Sequence, residues 1–258
     1  MTQIQQEKQK IMVIIPIAAD SAEAFMPGFE TEINAAISSD FEVTYKSLPG
    51  QATPFIQSRT AEFWDTFGII EIAQQAQKEG FNGIFVNCFG EPGVEVLKEI
   101  VDIPVVGGFY PAIANAMMVS SRFSIVTVLP SVVPMLWTLA RQMGVTSSVA
   151  SVREVGLSVN QLEDTELLKQ KLLEQSIIAI EQDGAEAILL GCTGMLEVNQ
   201  WLAKQLEVHF NGQYVPVVAP VGSAIGALQN LIKNNLSASR LTYYKPVEFT
   251  GMTPTSPY

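Results

Sequence analysis

Gly80-Phe-Asn-Gly-Ile-Phe-Val-Asn-Cys88 and Gly184-Ala-Glu-Ala-Ile-Leu-Leu-Gly-Cys192 are two copies of one pattern, with Gly, Ile and Cys at identical spacing. Each run is short, apolar and begins on glycine, which predicts a buried parallel strand with its cysteine at the C-terminal end. The residues after each cysteine read as a helix start. Glu91-Pro92-Gly-Val-Glu-Val-Leu-Lys places a proline near the first helical position, and Met195-Leu-Glu-Val-Asn-Gln-Trp-Leu is amphipathic. Open α/β sheets bind ligands at this junction of strand end and helix start. The helix dipole there is expected to favour thiolate over thiol. Two such thiols, one per repeat, point to an acid–base site with two faces.

The duplication extends outward from the cysteines. Ile11-Met-Val-Ile-Ile-Pro16 and Phe123-Ser-Ile-Val-Thr-Val-Leu-Pro130 suit the first strand of each unit, and Ile103-Pro-Val-Val-Gly107 and Val215-Pro-Val-Val-Ala219 each come after a cysteine segment. Helical patterns fill the gaps. Ala61 to Glu79 sets Phe63, Phe67, Ile70 and Ala73 on one face, and Gln161 to Asp183 does so with Leu173, Ile177 and Ile180, with Asn160 as its cap and Gly184 as its stop. Alternating β and α segments predict an α/β fold of two pseudo-symmetric lobes, each a mainly parallel sheet flanked by helices, with the site in the cleft between them. The helices after each Pro-Val-Val, Tyr110 to Met118 and Ser223 to Asn234, are expected to cross to the opposite lobe. That divides the chain into residues 1–110 plus 219–258 and residues 111–218.

Composition narrows the function. Hydrophobic residues make up 48% of the 258 and charged residues 16%, enough for a real core. A net charge of −11 argues against nucleic acid and anionic membranes as partners. The apolar stretch from Ile103 to Val119 is broken by Gly107, Gly108 and Pro111, so it is not expected to span a bilayer. Met1 to Lys10 lacks an apolar signal core, so the cytoplasm is the expected compartment. Reduced thiols are then expected rather than a disulfide. One histidine and two cysteines fall short of the four ligands of a structural zinc site, and no metal is expected. Lone His209, beside Phe210-Asn-Gly, reads as a solvated turn residue. The tail from Ser237 to Tyr258 has no periodicity; it reads as a surface extension, or as a contributor to the expected homo-oligomer.

Four motifs carry a resemblance. Asn87-Cys-Phe-Gly-Glu-Pro-Gly93, Pro104-Val-Val-Gly107, Arg122-Phe-Ser-Ile-Val-Thr127 and Leu190-Gly-Cys-Thr-Gly-Met195, in that order, resemble the aspartate/glutamate/hydantoin racemase superfamily. Hydantoin racemases are the nearest branch, with allantoin racemases beside them, and the resemblance runs from about residue 11 to about residue 235. It implies catalysis without metal or organic cofactor. The thiolate of one cysteine removes a proton from the stereocentre while the thiol of the other protonates the opposite face. The expected substrate is a small chiral ureide or amino-acid derivative, a 5-substituted hydantoin first among them.

The expected catalytic residues are Cys88 and Cys192. Expected substrate contacts are Asn87, Phe89, Gly90, Thr127, Thr193, Gly194, Pro16, Ile17 and Tyr110. Several also have structural readings: Thr193 as a helix cap, Thr127 as a packed strand residue, and Tyr110 as a core or interface aromatic. Departures from the hydantoin branch bear on substrate. That branch carries Asn-Pro-Asn where this chain has Ile15-Pro16-Ile17, Glu where it has Tyr110, and Asp-Gly where it has Ala219-Pro220. The thiols thus lack an obvious auxiliary base, which favours a substrate whose C–H is already acidic. Alternatives stay open: an aspartate- or glutamate-type racemase, a maleate-type isomerase, an arylmalonate-type decarboxylase, or a binding protein of the same fold.

Overall fold

The structure, a computed structural model, describes residues 7–246. The first lobe opens with β1 (Gln9–Ala18), whose residues Ile11 to Pro16 are all buried. A short helix α1 (Ala19–Ala22) and α2 (Met26–Ala36) lead to β2 (Phe41–Leu48). Next come α3 (Arg59–Lys78), β3 (Gly83–Val86), α4 (Val94–Ile100) and β4 (Val105–Val106). The strands pair in parallel in the order β2-β1-β3-β4. After α5 (Phe109–Val119), the second lobe repeats the plan with β5 (Phe123–Thr127), α6 (Val133–Met143), β6 (Val149–Glu154), α7 (Thr165–Glu181), β7 (Ala187–Leu190), α8 (Asn199–His209) and β8 (Val217–Val218). Its sheet order is β6-β5-β7-β8, again parallel. Helix α9 (Pro220–Lys233) comes last. The chain is therefore an α/β protein of two like lobes.

Local chemistry explains most boundaries. The Ser58 hydroxyl accepts the Ala61 N–H at 3.2 Å to start α3, and Asp164 accepts the Leu167 N–H at 3.1 Å to start α7. Asn160, expected as that cap, lies instead in a 3-10 turn capped by Ser158 and Gln161. Gly80 and Gly184 end the preceding helical segments at φ 78° and 75°, a left-handed backbone that glycine adopts without a Cβ penalty. Of the apolar face expected for α3, Ile70 and Ala73 are buried and the two phenylalanines are not. Ile69, Ile72, Ala73 and Ala76 pack inward, whereas Phe63 and Phe67 are 70% and 51% exposed. In α7 the fully buried positions are Leu168, Leu172, Ser176 and Ala179, and Leu173, Ile177 and Ile180 flank them half-buried.

Packing decides the lobe geometry. Met12 and Ile14 of β1 face α3 and α4 through one cluster, while Ile11 and Val13 face the opposite cluster with Val221, Ala224, Ile225 and Leu228 of α9. Each such Val, Leu, Ile or Met side chain contributes about 1.5–3 kcal/mol on burial. Helix α5 buries Phe109, Ala112, Ile113 and Ala116 in the core of the second sheet. The two crossing helices meet where Asn115 donates to the Ser223 hydroxyl at 2.9 Å. Among the described residues no helix is long and apolar enough to cross a membrane. The segment 247–258 of the tail lies outside the described residues.

Candidate active site

The central strands β3 and β7 run parallel to β1 and β5 in matching registers, Ile11 opposite Gly83 and Phe123 opposite Ala187. Just past each strand end the ladder makes one more bond: Asn87 N–H to the Ile14 carbonyl and Gly191 N–H to the Val126 carbonyl, both 2.8 Å. The next residue in each case is the cysteine, so the repeat places both thiols at equivalent points. The turns beyond them are also equivalent. Glu91 N–H donates to the Cys88 carbonyl at 3.3 Å, and Met195 N–H to the Cys192 carbonyl at 3.2 Å.

Both thiols are free. Cys192 accepts the main-chain N–H of Gly194, two residues on, at 3.4 Å, and the equivalent Gly90 N–H acts on Cys88 in the same sense, favouring its thiolate. These glycines do the work expected of the helix starts, because α4 begins only at Val94 and α8 only at Asn199. The expectation of a favoured thiolate is reversed. Burial pushes the Cys88 thiol up to about 12, offset in part by the Gly90 N–H and reinforced by the charges of Cys192, Glu62 and Glu91. Burial likewise pushes Cys192 up to about 11 against the Gly194 N–H. At neutral pH both are thiols, and ionisation of either opposes ionisation of the other.

The two turns are tied across the lobes: the Thr193 hydroxyl donates to the Asn87 carbonyl at 3.2 Å. Asn87 itself is 3% exposed, yet neither its Oδ1 nor its Nδ2 has a partner among the described residues. Thr127 is fully buried, and its hydroxyl donates to the Gly191 carbonyl at 2.9 Å, bracing the Cys192 turn. Phe89 packs edge-on against Phe109, ring centroids 5.4 Å apart. Pro16 and half-buried Ile17 form an irregularity in the β1–β2 ladder between Ile15 and Ala18, as a residue without an N–H requires. Tyr110 is held by its backbone, and its ring lies 5.4 Å from the Lys98 ammonium. His209, exposed at the end of α8, faces Glu181 at 3.1 Å.

The family model for the Asp/Glu/Hydantoin racemases matches residues 11–228 of this two-lobed frame. The chain belongs to that family. A hydantoin racemase of Pseudomonas sp. (strain NS671) is 32% identical, covering 92% of this chain and 91% of its own length. That of Paenarthrobacter aurescens is 34% identical over 78% and 83%. Among solved structures, an allantoin racemase from Klebsiella pneumoniae aligns with a TM-score of 0.82 at 29% identity, covering 90% of this chain and 91% of that one. The protein is thus a racemase of the Asp/Glu/hydantoin superfamily, which leaves the reading as a binding protein without turnover unsupported.

Sequence reasoning missed two acids beside the candidate thiols. Glu62 on α3, in an ion pair with Arg59 at 2.8 Å, and Glu91 both act on the Cys88 thiol. Glu91 stands inside the Asn87–Gly93 motif but reads there as a helix start. Only the approach of Gly107 and Tyr110 from a distant segment gives it a role.

Proposed function

We propose that this racemase inverts a neutral chiral ureide, a 5-substituted hydantoin first among the candidates, using Cys88 and Cys192 on opposite faces of the substrate and no cofactor. The observation that carries the reading is the pair of repeat-equivalent thiol turns joined by Thr193 and Asn87. In the forward direction one thiolate takes the proton from the stereocentre and becomes a thiol. The C–H electron pair passes into the neighbouring carbonyl as an enolate. The other thiol then protonates the carbon from the far face and becomes the thiolate, so the pair ends with its roles exchanged. A thiolate whose conjugate acid is held near 11–12 is scarce at neutral pH but strongly basic, which suits removal of a carbon-bound proton.

Charge and hydrogen bonding select the substrate class. The charged groups that act on Cys88, Glu62 and Glu91, are both acidic, which disfavours a dicarboxylate beside it. The buried Asn87 amide offers an unused donor and an unused acceptor, the complement of a ring amide. The relatives named hydantoin racemase and allantoin racemase support the same class.

The test is a panel of hydantoins, allantoin, aspartate and glutamate incubated as single enantiomers in deuterated buffer. A hydantoin or allantoin should lose optical rotation and gain deuterium at the stereocentre, and Cys88→Ser and Cys192→Ser should each abolish racemisation. Each variant should still exchange the hydrogen of one enantiomer, and the two should prefer opposite enantiomers. Equal preferences would refute the division of faces. Carbon dioxide release from a malonate-type acid, without ureide exchange, would favour the decarboxylase branch instead.

A further inference from the structure

The two thiol turns share their backbone hydrogen bonds but differ in the side chain three residues past the cysteine. Under Cys192 this is Met195, apolar and 1% exposed; under Cys88 it is Glu91, a carboxylic acid 8% exposed. Several features accommodate that acid. Its backbone takes the left-handed φ of 55°, which is disfavoured for a residue with a Cβ. Its carboxyl accepts the Tyr110 N–H at 2.8 Å, at the start of α5, where Gly108 supplies no side-chain cap. A Cβ on Gly107 would fall 2.4 Å from the Glu91 Cγ, so glycine there leaves the space that the acid fills. The Cys88 carbonyl bridges the same two segments, accepting from both Glu91 and Gly108.

We propose that Glu91 is a positioning residue that locks the Cys88 turn to the start of α5 and, once ionised, keeps Cys88 protonated, so that the first thiolate of the pair forms at Cys192. This rests on the two-thiol reading above and adds an order to it. The pseudo-symmetric site is thereby given a preferred base, Cys192, and a preferred acid, Cys88. The groups facing Glu91 are Lys98 and Glu95 from α4 and Tyr110 from α5; those facing Cys88 are Cys192, Glu62 from α3 and Glu91 itself. Burial pushes the Glu91 carboxyl up to about 7, opposed by the N–H groups of Tyr110 and Phe109 and by Lys98, so its ionisation falls within the working pH range.

The test is competitive alkylation of the intact protein with limiting iodoacetamide from pH 5.5 to 8.5, the label at Cys88 and Cys192 quantified by peptide mass spectrometry. Below both thiol ionisations each thiolate otherwise grows about tenfold per pH unit, so their ratio cancels that growth, and a difference in access enters only as a factor that does not change with pH. In the wild-type protein the Cys192-to-Cys88 labelling ratio should rise roughly three- to thirtyfold as pH passes through about 7. Glu91→Gln should flatten that step, Glu91→Asp should restore it, and Glu62→Gln should leave it in place. A ratio that stays flat in the wild-type protein overturns the proposal even if no variant folds. So does a step that survives in folded Glu91→Gln. Racemisation by Cys88→Ser or Cys192→Ser would instead overturn the two-thiol reading, which the labelling ratio does not measure.

Discussion

At Asn87 the chain buries an amide whose two polar atoms have no partner among the described residues, an arrangement that costs about 1–3 kcal/mol in a folded protein. Such a cost is understandable if a ligand supplies the missing bonds. Asn87→Leu, of similar volume, removes the unpaired atoms while leaving the backbone bonds to Ile14 and Thr193. It should therefore stabilise the free protein by about 1–3 kcal/mol, seen as a higher thermal midpoint, while lowering kcat/KM by about 10- to 100-fold. A variant that loses both stability and activity would mean the amide serves the fold and not the substrate. Glu91 poses the same kind of trade. Its carboxyl is raised above the usual range, so its contribution to stability is full below about pH 4.5 and is lost as pH rises towards 7.

On the scale of elements, the junctions between helices and strand ends carry the site, and the last described segment braces one of them. Helix α4 ends at Ile100, leaving its final carbonyls without helical partners. The Arg240 guanidinium donates to the carbonyls of Lys98 at 2.8 Å and Glu99 at 3.3 Å, to that of Val101, and to the Asp102 carboxylate at 2.7 Å. The Lys98 ammonium then lies between the rings of Tyr110 and Tyr243, 5.4 and 5.3 Å from their centroids. Arg240→Ala should lower stability by about 1–2 kcal/mol, read as a shift of the urea midpoint, and should quicken proteolysis between Ser237 and Lys245. Lys245 and then Arg240 hold the Asp102 carboxyl below its usual range, so this brace should hold above about pH 4 and weaken as pH falls further. An unchanged midpoint would show that the segment merely rests on α4.

For the whole molecule, the decisive property is that two lobes enclose both thiols and raise both. On the proposed two-thiol mechanism racemisation needs one thiolate, and below the two ionisations the thiolate population grows about tenfold per pH unit. The initial rate at low substrate should therefore climb steeply between pH 6 and 8, by up to about tenfold per unit, whichever enantiomer is supplied. A flat profile across that interval would mean a thiolate already formed at pH 6, contrary to the effect of burial. The site also depends on contacts between lobes: the Ser131 hydroxyl donates to the Gln57 carbonyl at 2.9 Å, and Arg59 reaches the Met135 carbonyl at 3.4 Å.

The repeated Gly-to-Cys strands, the paired Pro-Val-Val segments and the helical spacing between them determined the α/β class, the duplication and the equivalence of the two thiols. These features depend on local composition and on period, which a linear chain displays. The edge strands β2 and β6 lie outside that repeated pattern, because Phe41-Glu-Val-Thr-Tyr-Lys-Ser-Leu48 and Val149-Ala-Ser-Val-Arg-Glu154 mix polar with apolar residues, are partly exposed and share no residue pattern with each other. The spacing in α3 misleads because Phe63 and Phe67 keep a helical period yet stand out into solvent. What only the tertiary structure decided is electrostatic. Whether a thiol is raised or lowered depends on how much protein surrounds it, and whether Glu91 is a helix-start residue or a buried acid depends on Gly107 and Tyr110 arriving from another strand end. Burial and proximity across sequence distance are properties of the packed chain, so no local pattern encodes them.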